Sequence, residues 1–480
     1  MNNQNIYVLQ KSLLIPYWVV PILGLALLAL ICFFLSKSHR FGMKRAIFCL
    51  SIVAATIVFA TALNWVALVS QLFNAYILFL LVYAYSVKKD NTFPIHKKHL
   101  VAFTVIGILL LSFILRCDRL LTMQNSPLDP DAITYRILAL KATHFFDSDF
   151  REPLFVFLIK LYIKVFGNEA STLRYLTVFL SIISIYLTYV VGRGMFRLYF
   201  IGLASAFLMA INSYLIFMSV HLLRLELFII CILLLFYYLF VRKGDTIQRH
   251  ILVGISGAAC SLTRITSLSF VIPFILFSAW RNKSSISKCL LSIAITIIIV
   301  LPHFVNNKRK FGSYTYSVDI HAKWYRNYEF KDKPGFPTSK ELEKNSYAGS
   351  PVTSYQYIFG LHSLGTVFKR SVKGFFKIFF QRRFFGHNYL LFCLYLLGLC
   401  SILMTEQRFL VGTMIFMIGP TAFLVGTLAI DKRLVMHLYP FKAFITSYFM
   451  VTAAKYLYSR VGLKNMLKSH FFQSQMGKGT

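Results

Sequence analysis

Long apolar segments recur along almost the whole chain and are separated by short basic loops. A helix needs about 20 apolar residues to cross a bilayer. By this rule the pattern predicts about thirteen transmembrane helices. They fall at 15–35, 46–64, 67–86, 99–116, 172–191, 200–219, 225–241, 251–266, 267–280, 286–304, 387–404, 408–428 and 434–456. The stretches 46–86 and 251–280 allow other divisions, and the expected fold is an all-α polytopic membrane protein.

Composition supports this interpretation. Of the 480 residues, 57% are hydrophobic and only 14% charged, with a mean hydropathy of +0.65, which excludes an ordinary water-soluble protein. The 51 Lys and Arg residues against 17 Asp and Glu give a net charge of +34. Such basicity also occurs in nucleic-acid-binding proteins, but the apolar runs favour a membrane protein without a nucleic-acid partner. The eight cysteines have no metal-binding spacing, so we expect neither a metal nor another cofactor.

Basic residues in the short loops predict the orientation of the helices. If these loops are cytoplasmic, the segments 117–170 and 305–386 both lie outside the cell. The expected organisation is an N-terminal three-helix module, a catalytic core containing the external loop 117–170, a large external loop, and C-terminal helices with a short basic cytoplasmic tail. These parts span 1–98, 99–304, 305–386 and 387–480. We expect the inner membrane of a bacterium to be the location.

The external loop 117–170 is unusually acidic. It holds seven of the 17 carboxylates, namely Asp118, Asp129, Asp131, Asp147, Asp149, Glu152 and Glu169. Residues 153–166 form an apolar run too short to span a bilayer, with Lys160 and Lys164 on one helical face. This run is typical of a helix lying in the membrane interface with its lysines toward water. Residues 131–146 are expected to form a second such helix.

Candidate chemical groups lie at the external ends of helices around this loop. Asp129 and Asp131 are possible general bases, and Arg151 is a possible phosphate ligand. Glu226 follows Arg224 by two residues, so the two face apart on a helix, and the acidic loop is where we expect their partners. Further cations are Arg264 and the cluster 308–310, both suited to an anionic lipid headgroup. Each group alone also has an ordinary structural explanation, as a helix cap, an interfacial anchor or a loop residue.

The order of these motifs resembles the polyprenol-phosphate-sugar-dependent membrane glycosyltransferases of the GT-C fold. The most similar branch includes protein O-mannosyltransferases and the lipid A aminoarabinose transferase. That branch carries Asp-Glu-x-x-Tyr in its first external loop, and this chain has Asp131 and Tyr135 in that pattern with Ala132 in place of Glu. A later Lys/His-Pro-Pro-Leu element is similar to 151–154, where Glu152 replaces the first proline.

Further elements of the family pattern follow in the same order over about 200 residues. An Arg-Leu helix start is similar to the sequence around Arg174, and an Arg-x-Asp helix end is similar to 224–226. A Leu-Thr-Lys turn resembles 262–264, and a Pro…Asn…Phe-Gly exit resembles 302–312. The N-terminal spans 15–86 precede the region of resemblance.

The resemblance implies a transfer reaction and roles for these residues. The donor is a sugar linked to a polyprenyl phosphate, and the acceptor is a hydroxyl of a glycan, lipid or protein. Asp131 acts as the base in an inverting displacement, while Glu226 orders the acidic loop or a basic residue. The phosphate is held by Arg151, Arg264 and Arg224, with Asp129, Tyr135 and Arg174 as further substrate-binding residues.

Two other classes of function stay open at this stage. A lipid or glycan transporter, including a flippase, requires ionisable groups deep within its spans. A non-catalytic partner of another membrane enzyme is the third class. The predicted spans are nearly free of charge at their centres, which favours the transferase.

Overall fold

The computed structural model describes residues 94–124, 126–149, 151–311, 314, 363–380, 382–385, 388–421 and 435–460. All regular structure in these ranges is helical, as predicted, and fourteen α-helices are described. The predicted spans 15–35, 46–64 and 67–86 lie outside the described residues, as does most of the predicted loop 305–386. Two compact units are distinguished, 1–103 with 117–125 and 104–116 with 126–480. The candidate site lies entirely in the second unit.

The helices are numbered in chain order. The first seven are α1 (Pro94–Thr122), α2 (Pro130–Lys141), α3 (Pro153–Phe166), α4 (Ala170–Phe196), α5 (Tyr199–Ile211), α6 (Ser213–Met218) and α7 (Leu225–Phe236). The others are α8 (Ile247–Thr263), α9 (Leu268–Asn282), α10 (Ile286–Phe311), α11 (Leu364–Phe379), α12 (Tyr389–Leu403), α13 (Phe409–Thr421) and α14 (Tyr439–Arg460). A π-helical turn, Tyr237–Val241, extends α7, and the 3-10 turn Ile265–Ser267 precedes α9.

Four of the described helical segments are long and apolar enough to cross a membrane. They are Val101–Thr122 in α1, the whole of α4, Ile265–Asn282, and α10. The pair Tyr389–Leu403 and Glu406–Gly419 passes the same test together but is bent by 117°. The described residues therefore form a multi-pass integral membrane protein.

The predicted span 200–219 is wrong as a single helix. It is divided at Asn212, whose side-chain oxygen accepts a hydrogen bond from the Leu215 N–H and starts α6. The Asn212 amide donates to the Phe384 carbonyl, 2.9 Å away. An N-cap asparagine competes with helix continuation because it satisfies the free N–H groups of a new helix. Hydropathy alone does not reveal this break.

The acidic loop contains the two short helices expected from its sequence. The helix α3 has the predicted bounds, and α2 covers most of the predicted segment 131–146. The expected exposure of Lys160 is wrong, because its ammonium donates to the Ala142 carbonyl that follows α2. This lysine joins the two helices of the loop instead of facing water.

Apolar packing fixes this loop against the transmembrane helices. Phe145, Phe146 and Leu154 contact a buried cluster formed by Ala258 and Leu262 of α8 and Val300 of α10. The Asn306 amide of α10 donates to the Phe146 carbonyl over 3.1 Å. The loop is thereby held at the same end of the bundle as the ends of α8 and α10.

Two cations are buried in helices that the hydropathy pattern assigned to spans. Arg116 in α1 and Lys442 in α14 are both fully buried. Arg116 donates to the hydroxyls of Ser112 and Ser181 and to the Ala210 carbonyl. Buried charge is tolerated in a membrane only where such partners are supplied, and local hydropathy cannot show those partners.

Candidate active site

The starts of α2 and α3 form the centre of the candidate site. Each helix has a proline in its first turn, Pro130 or Pro153, where the missing N–H costs no hydrogen bond. The buried faces of the two helices meet at an edge-on contact of Tyr135 with Phe155, with 5.1 Å between ring centroids. This packing brings the residues around Asp131 and those around Arg151 together across twenty positions of sequence.

Asp131 and Arg151 form an ion pair. The Arg151 Nη2 donates to the Asp131 Oδ1 over 3.0 Å, and the guanidinium also lies 5.2 Å from the Tyr135 ring centroid. The Asp131 side chain is 35% exposed, whereas the Arg151 side chain is 11% exposed. The predicted base, the predicted phosphate ligand and Tyr135 are thus one cluster, with the carboxylate on its accessible side.

Glu152 forms a second arginine–carboxylate pair beside the first. Its Oε2 accepts a hydrogen bond from Arg224, which also donates to the Thr263 carbonyl over 3.3 Å. Its Oε1 accepts the Ile265 N–H over 3.1 Å. One carboxylate therefore joins the start of α3, the start of α7 and the turn after α8.

This role of Glu152 is absent from the sequence-based expectations. The sequence shows Glu152 only as a departure from the resembling motif. The expectation that Arg224 finds its partner in the acidic loop is confirmed, and Glu152 is that partner. The sequence did contain a signal for this role, because Glu152 is a carboxylate next to an arginine at the start of a helix.

Arg264 lies in the turn that Glu152 holds. The stretch 251–280 divides here, with extended backbone at Arg264 between the end of α8 and the following 3-10 turn. Its guanidinium carbon is 5.0 Å from the Phe228 ring centroid on α7. Arg264 and Arg224 share two neighbours. Thr263, whose carbonyl accepts a hydrogen bond from Arg224, directly precedes Arg264, and Phe228, which contacts Arg264, lies one helical turn after Arg224. These contacts hold the two arginines near each other.

Asp129 and Arg174 belong to the segment that leads into α2. The Asp129 Oδ2 lies 2.6 Å from the His221 Nδ1, and the His221 ring lies 4.2 Å from the Phe217 ring, centroid to centroid. Arg174 is buried and donates to the carbonyls of Ser126 and Pro127 over 2.7 and 3.1 Å. These contacts fix the backbone just before Asp131. The sequence-based expectations left the contact of His221 with Asp129 unrecognised.

Glu226 lies in a different environment from the other predicted site residues. It is 1% exposed, and its Oε2 accepts a hydrogen bond from the Ser184 hydroxyl over 3.1 Å. It also interacts electrostatically with Arg116. The expectation that its partner belongs to the acidic loop is wrong, because both of these partners lie in spans. Its Oε1 has no hydrogen-bond partner among the described residues.

The basic end of α10 contacts the acidic loop at Asp147. The Thr143 backbone N–H, 3.1 Å away, and Lys310, 3.2 Å away, hold the pKa of Asp147 below its usual value because both stabilise the carboxylate. Lys310 belongs to the cluster 308–310 that we expected to face an anionic lipid. In the structure its ammonium instead ties the loop to α10.

The arrangement combines two chemical capacities. Guanidinium groups at Arg151, Arg224 and Arg264 offer planar, paired donors that suit phosphate oxygens. A partly exposed carboxylate at Asp131 accepts a proton once it is released from its arginine. Both occur at the starts or ends of helices, within one group of neighbouring residues.

We expect Glu152→Gln to destabilise the protein by about 1–3 kcal/mol, because it leaves the half-buried Arg224 without its carboxylate. The matched control is Glu169→Gln at an exposed helix start, where little change is expected. Thermal unfolding in detergent is the measurement, applied also to Arg224→Gln and to the double variant. The double variant should lose less than the sum of the single losses, and additive losses would contradict a direct pair.

The chain is similar to known proteins over part of its length. Residues 151–305 match the family described as dolichyl-phosphate-mannose-protein mannosyltransferase. No individual curated protein matches the chain. One solved structure, the crystal structure of ArnT from Cupriavidus metallidurans bound to undecaprenyl phosphate, is similar with a TM-score of 0.37 and 10% identity. The similarity covers 74% of this chain and 78% of that chain.

The matched segment includes Arg151, Arg174, Arg224, Glu226 and Arg264, and it begins after α2, so Asp131 lies outside it. The family match thus confirms the resemblance carried by the motifs. Over residues 151–305 the chain is similar to the mannosyltransferases of the GT-C class, and this similarity indicates a membrane glycosyltransferase.

Proposed function

We propose that this chain transfers a sugar from a polyprenyl-phosphate donor to an acceptor hydroxyl at the external surface of the membrane. The observation that carries the proposal is the Asp131–Arg151 pair, with a partly exposed carboxylate on a mostly buried guanidinium. A second such pair, Glu152 with Arg224, lies directly beside it. The family match over residues 151–305 supports a glycosyltransferase as the reaction class.

The donor phosphate binds in this proposal at the arginines around the turn after α8. Arg264 and Arg224 share this turn, and Arg151 adjoins it through its neighbour Glu152. A guanidinium binds phosphate with two parallel hydrogen bonds and is weakly hydrated, so it serves well at a membrane surface. The polyprenyl chain lies along the lipid-facing sides of the neighbouring helices.

Donor binding also changes the state of Asp131. Arg151 donates to the Asp131 carboxylate in the structure, so a phosphate at Arg151 competes with that carboxylate. When the phosphate takes the guanidinium, Asp131 loses this ion pair, and its partly exposed carboxylate becomes available to the acceptor. Base activation therefore follows donor binding, which predicts an ordered reaction with the donor first.

The chemical step is a single displacement. Asp131 removes the proton of the acceptor hydroxyl as the acceptor oxygen attacks the anomeric carbon. The bond from that carbon to the phosphate oxygen breaks, and its electron pair stays on the phosphate, which leaves as polyprenyl phosphate. The arginines stabilise this charge, and attack opposite to the leaving group inverts the anomeric configuration. Tyr135 keeps Arg151 in position through its ring.

Asp129, Arg174 and Glu226 act in this proposal by holding the site together. Asp129 and Arg174 fix the segment before α2 through His221 and two backbone carbonyls. Glu226 fixes the first turn of α7, next to Arg224, through its contacts with Ser184 and Arg116. We therefore propose positioning roles for the three side chains.

A polyprenyl-lipid flippase is the second candidate. The buried groups Arg116 and Glu226 favour it, because ionisable residues within membrane helices often mark a transport path. A flippase requires these two residues for lipid movement and tolerates the loss of Asp131. The transferase requires Asp131 even when lipid movement is irrelevant, as in detergent solution.

Asp131→Asn should lower the rate of sugar transfer by about 100-fold or more, because the amide cannot accept the proton. The measurement is transfer of a labelled sugar from polyprenyl phosphate in detergent, with binding of polyprenyl phosphate measured separately and expected to persist. Asp149→Asn is the matched control in the same loop, at a positive φ of 53° that asparagine adopts readily. Transfer at the normal rate by Asp131→Asn would exclude Asp131 as the base.

Arg151→Ala should weaken binding of polyprenyl phosphate by about tenfold or more, because a charge-assisted phosphate contact is lost. Binding is measured by titration of the detergent-solubilised protein, with the unfolding temperature recorded for each variant. Arg136→Ala is the control, since Arg136 donates to Asn168 within the same loop and has no proposed phosphate contact. Equal effects of the two substitutions would contradict the assignment.

A further inference from the structure

The helix α11 differs from the spans in length and composition. It has 16 residues, about 24 Å at 1.5 Å per residue, and is too short for a bilayer core of about 30 Å. It carries four basic residues and no acidic residue. Its start is capped by Ser363, whose side chain accepts the Thr366 N–H.

Three different faces run along α11. The buried face contains Val367, Gly374 and Ile378. An apolar face is exposed, and its residues recur every fourth position at Leu364, Phe368, Val372, Phe376 and Phe380, with exposures of 71%, 71%, 37%, 55% and 45%. A basic face, also exposed, contains Lys369, Lys373 and Lys377. Each lysine follows an apolar residue by one position, so the two exposed faces adjoin along the whole helix.

A buried lysine fixes the end of α11 to the protein. The Lys442 ammonium of α14 donates to the carbonyls of Ile378 and Phe379, over 3.1 and 3.0 Å. It also lies 3.9 Å from the Phe384 ring centroid and 5.1 Å from the Tyr395 ring centroid. A cation is favourable at the C-terminal end of a helix, where carbonyl groups are left without helical partners. The position of α11 is therefore set by the protein, while its apolar and basic faces stay exposed.

We propose that α11 docks on the surface of a bilayer containing anionic phospholipids. The apolar face enters the boundary between headgroups and acyl chains, and the lysine row contacts lipid phosphates. Charge complementarity carries the choice of partner, because three exposed lysines in a row with no acid on the helix match a negatively charged surface. The phenylalanines beside the lysines match the apolar layer just beneath that surface.

Experiment distinguishes lipid from two other candidate occupants of the apolar face. One is the segment 315–362 of the same chain, and the other is a second copy of the protein. Neither requires lysines along the edge of the face. The proposal does not depend on the glycosyltransferase activity, so its test and the tests of the reaction fail independently.

The first experiment identifies what covers the apolar face. A photo-crosslinking benzoylphenylalanine at Phe368 is introduced into the full-length protein in lipid nanodiscs of phosphatidylcholine and phosphatidylglycerol. Crosslinks to lipid acyl chains are expected, whereas the same probe at the buried Val367 should crosslink within the chain. Phe376 is the second exposed position, used if the variant at Phe368 does not fold. Crosslinks from the exposed positions only to this chain or to a second copy would overturn the proposal.

The second experiment tests the lysine row. The measured ratio is that of crosslinked phosphatidylglycerol to crosslinked phosphatidylcholine, divided by the ratio of the two lipids in the nanodisc. In the protein that keeps all three lysines, this ratio should exceed one. In the triple variant Lys369→Gln, Lys373→Gln and Lys377→Gln it should fall to about one, the value expected without selection between the two lipids. The matched variant with arginine at the same three positions should keep the enrichment. An unchanged ratio in the glutamine variant would exclude recognition of anionic lipid by these lysines.

Discussion

The carboxylate of Glu152 is the contact on which the geometry of the candidate site depends. It accepts hydrogen bonds from Arg224 at the start of α7 and from the Ile265 N–H after α8, while its own backbone begins α3. Its neighbour Arg151 pairs with Asp131 at the start of α2. Four segments that are far apart in sequence are thus joined by two consecutive side chains. Without this junction, Arg151 and Arg224 would lose the carboxylates that pair with them.

The lipid environment explains why the junction is built from charges. Backbone groups at helix ends have no helical partners, and such unpaired groups are costly in or near lipid. Arg224 donates to the Thr263 carbonyl at the end of α8, and Lys442 donates to the Ile378 and Phe379 carbonyls at the end of α11, so both stabilise helix ends as well as carrying charge. In the proposed function Arg224 is also one of the groups that bind the donor phosphate.

Local signals in the sequence were sufficient for several parts of the structure. The length and polarity of 153–166 predicted a helix with the observed bounds, and the division of 251–280 into two helices was predicted within a few residues of the observed break. The grouping of carboxylates in one loop predicted that Arg224 is paired there. These features depend on neighbours within about one helical turn, or on a strong departure from the average composition.

The features that were missed depend on contacts between distant segments. Asn212 ends a helix partly because the Phe384 carbonyl, 172 positions away, takes its amide. Arg116 and Lys442 are tolerated inside the protein because hydroxyl and carbonyl groups from other helices surround them. Lys160 turns inward because α2 ends where its ammonium can reach a carbonyl. Hydropathy describes none of these partners, so sequence-based reasoning assigned such residues to lipid or to water.

The proposed reaction depends on the exchange of Asp131 for a donor phosphate on Arg151. An experimental structure of the full chain with bound polyprenyl phosphate tests it most directly. The account predicts that a phosphate oxygen lies within hydrogen-bonding distance of Arg151 and that the Asp131 carboxylate has moved out of its contact with that guanidinium. A phosphate bound elsewhere, with the 3.0 Å contact between Asp131 and Arg151 intact, would contradict it.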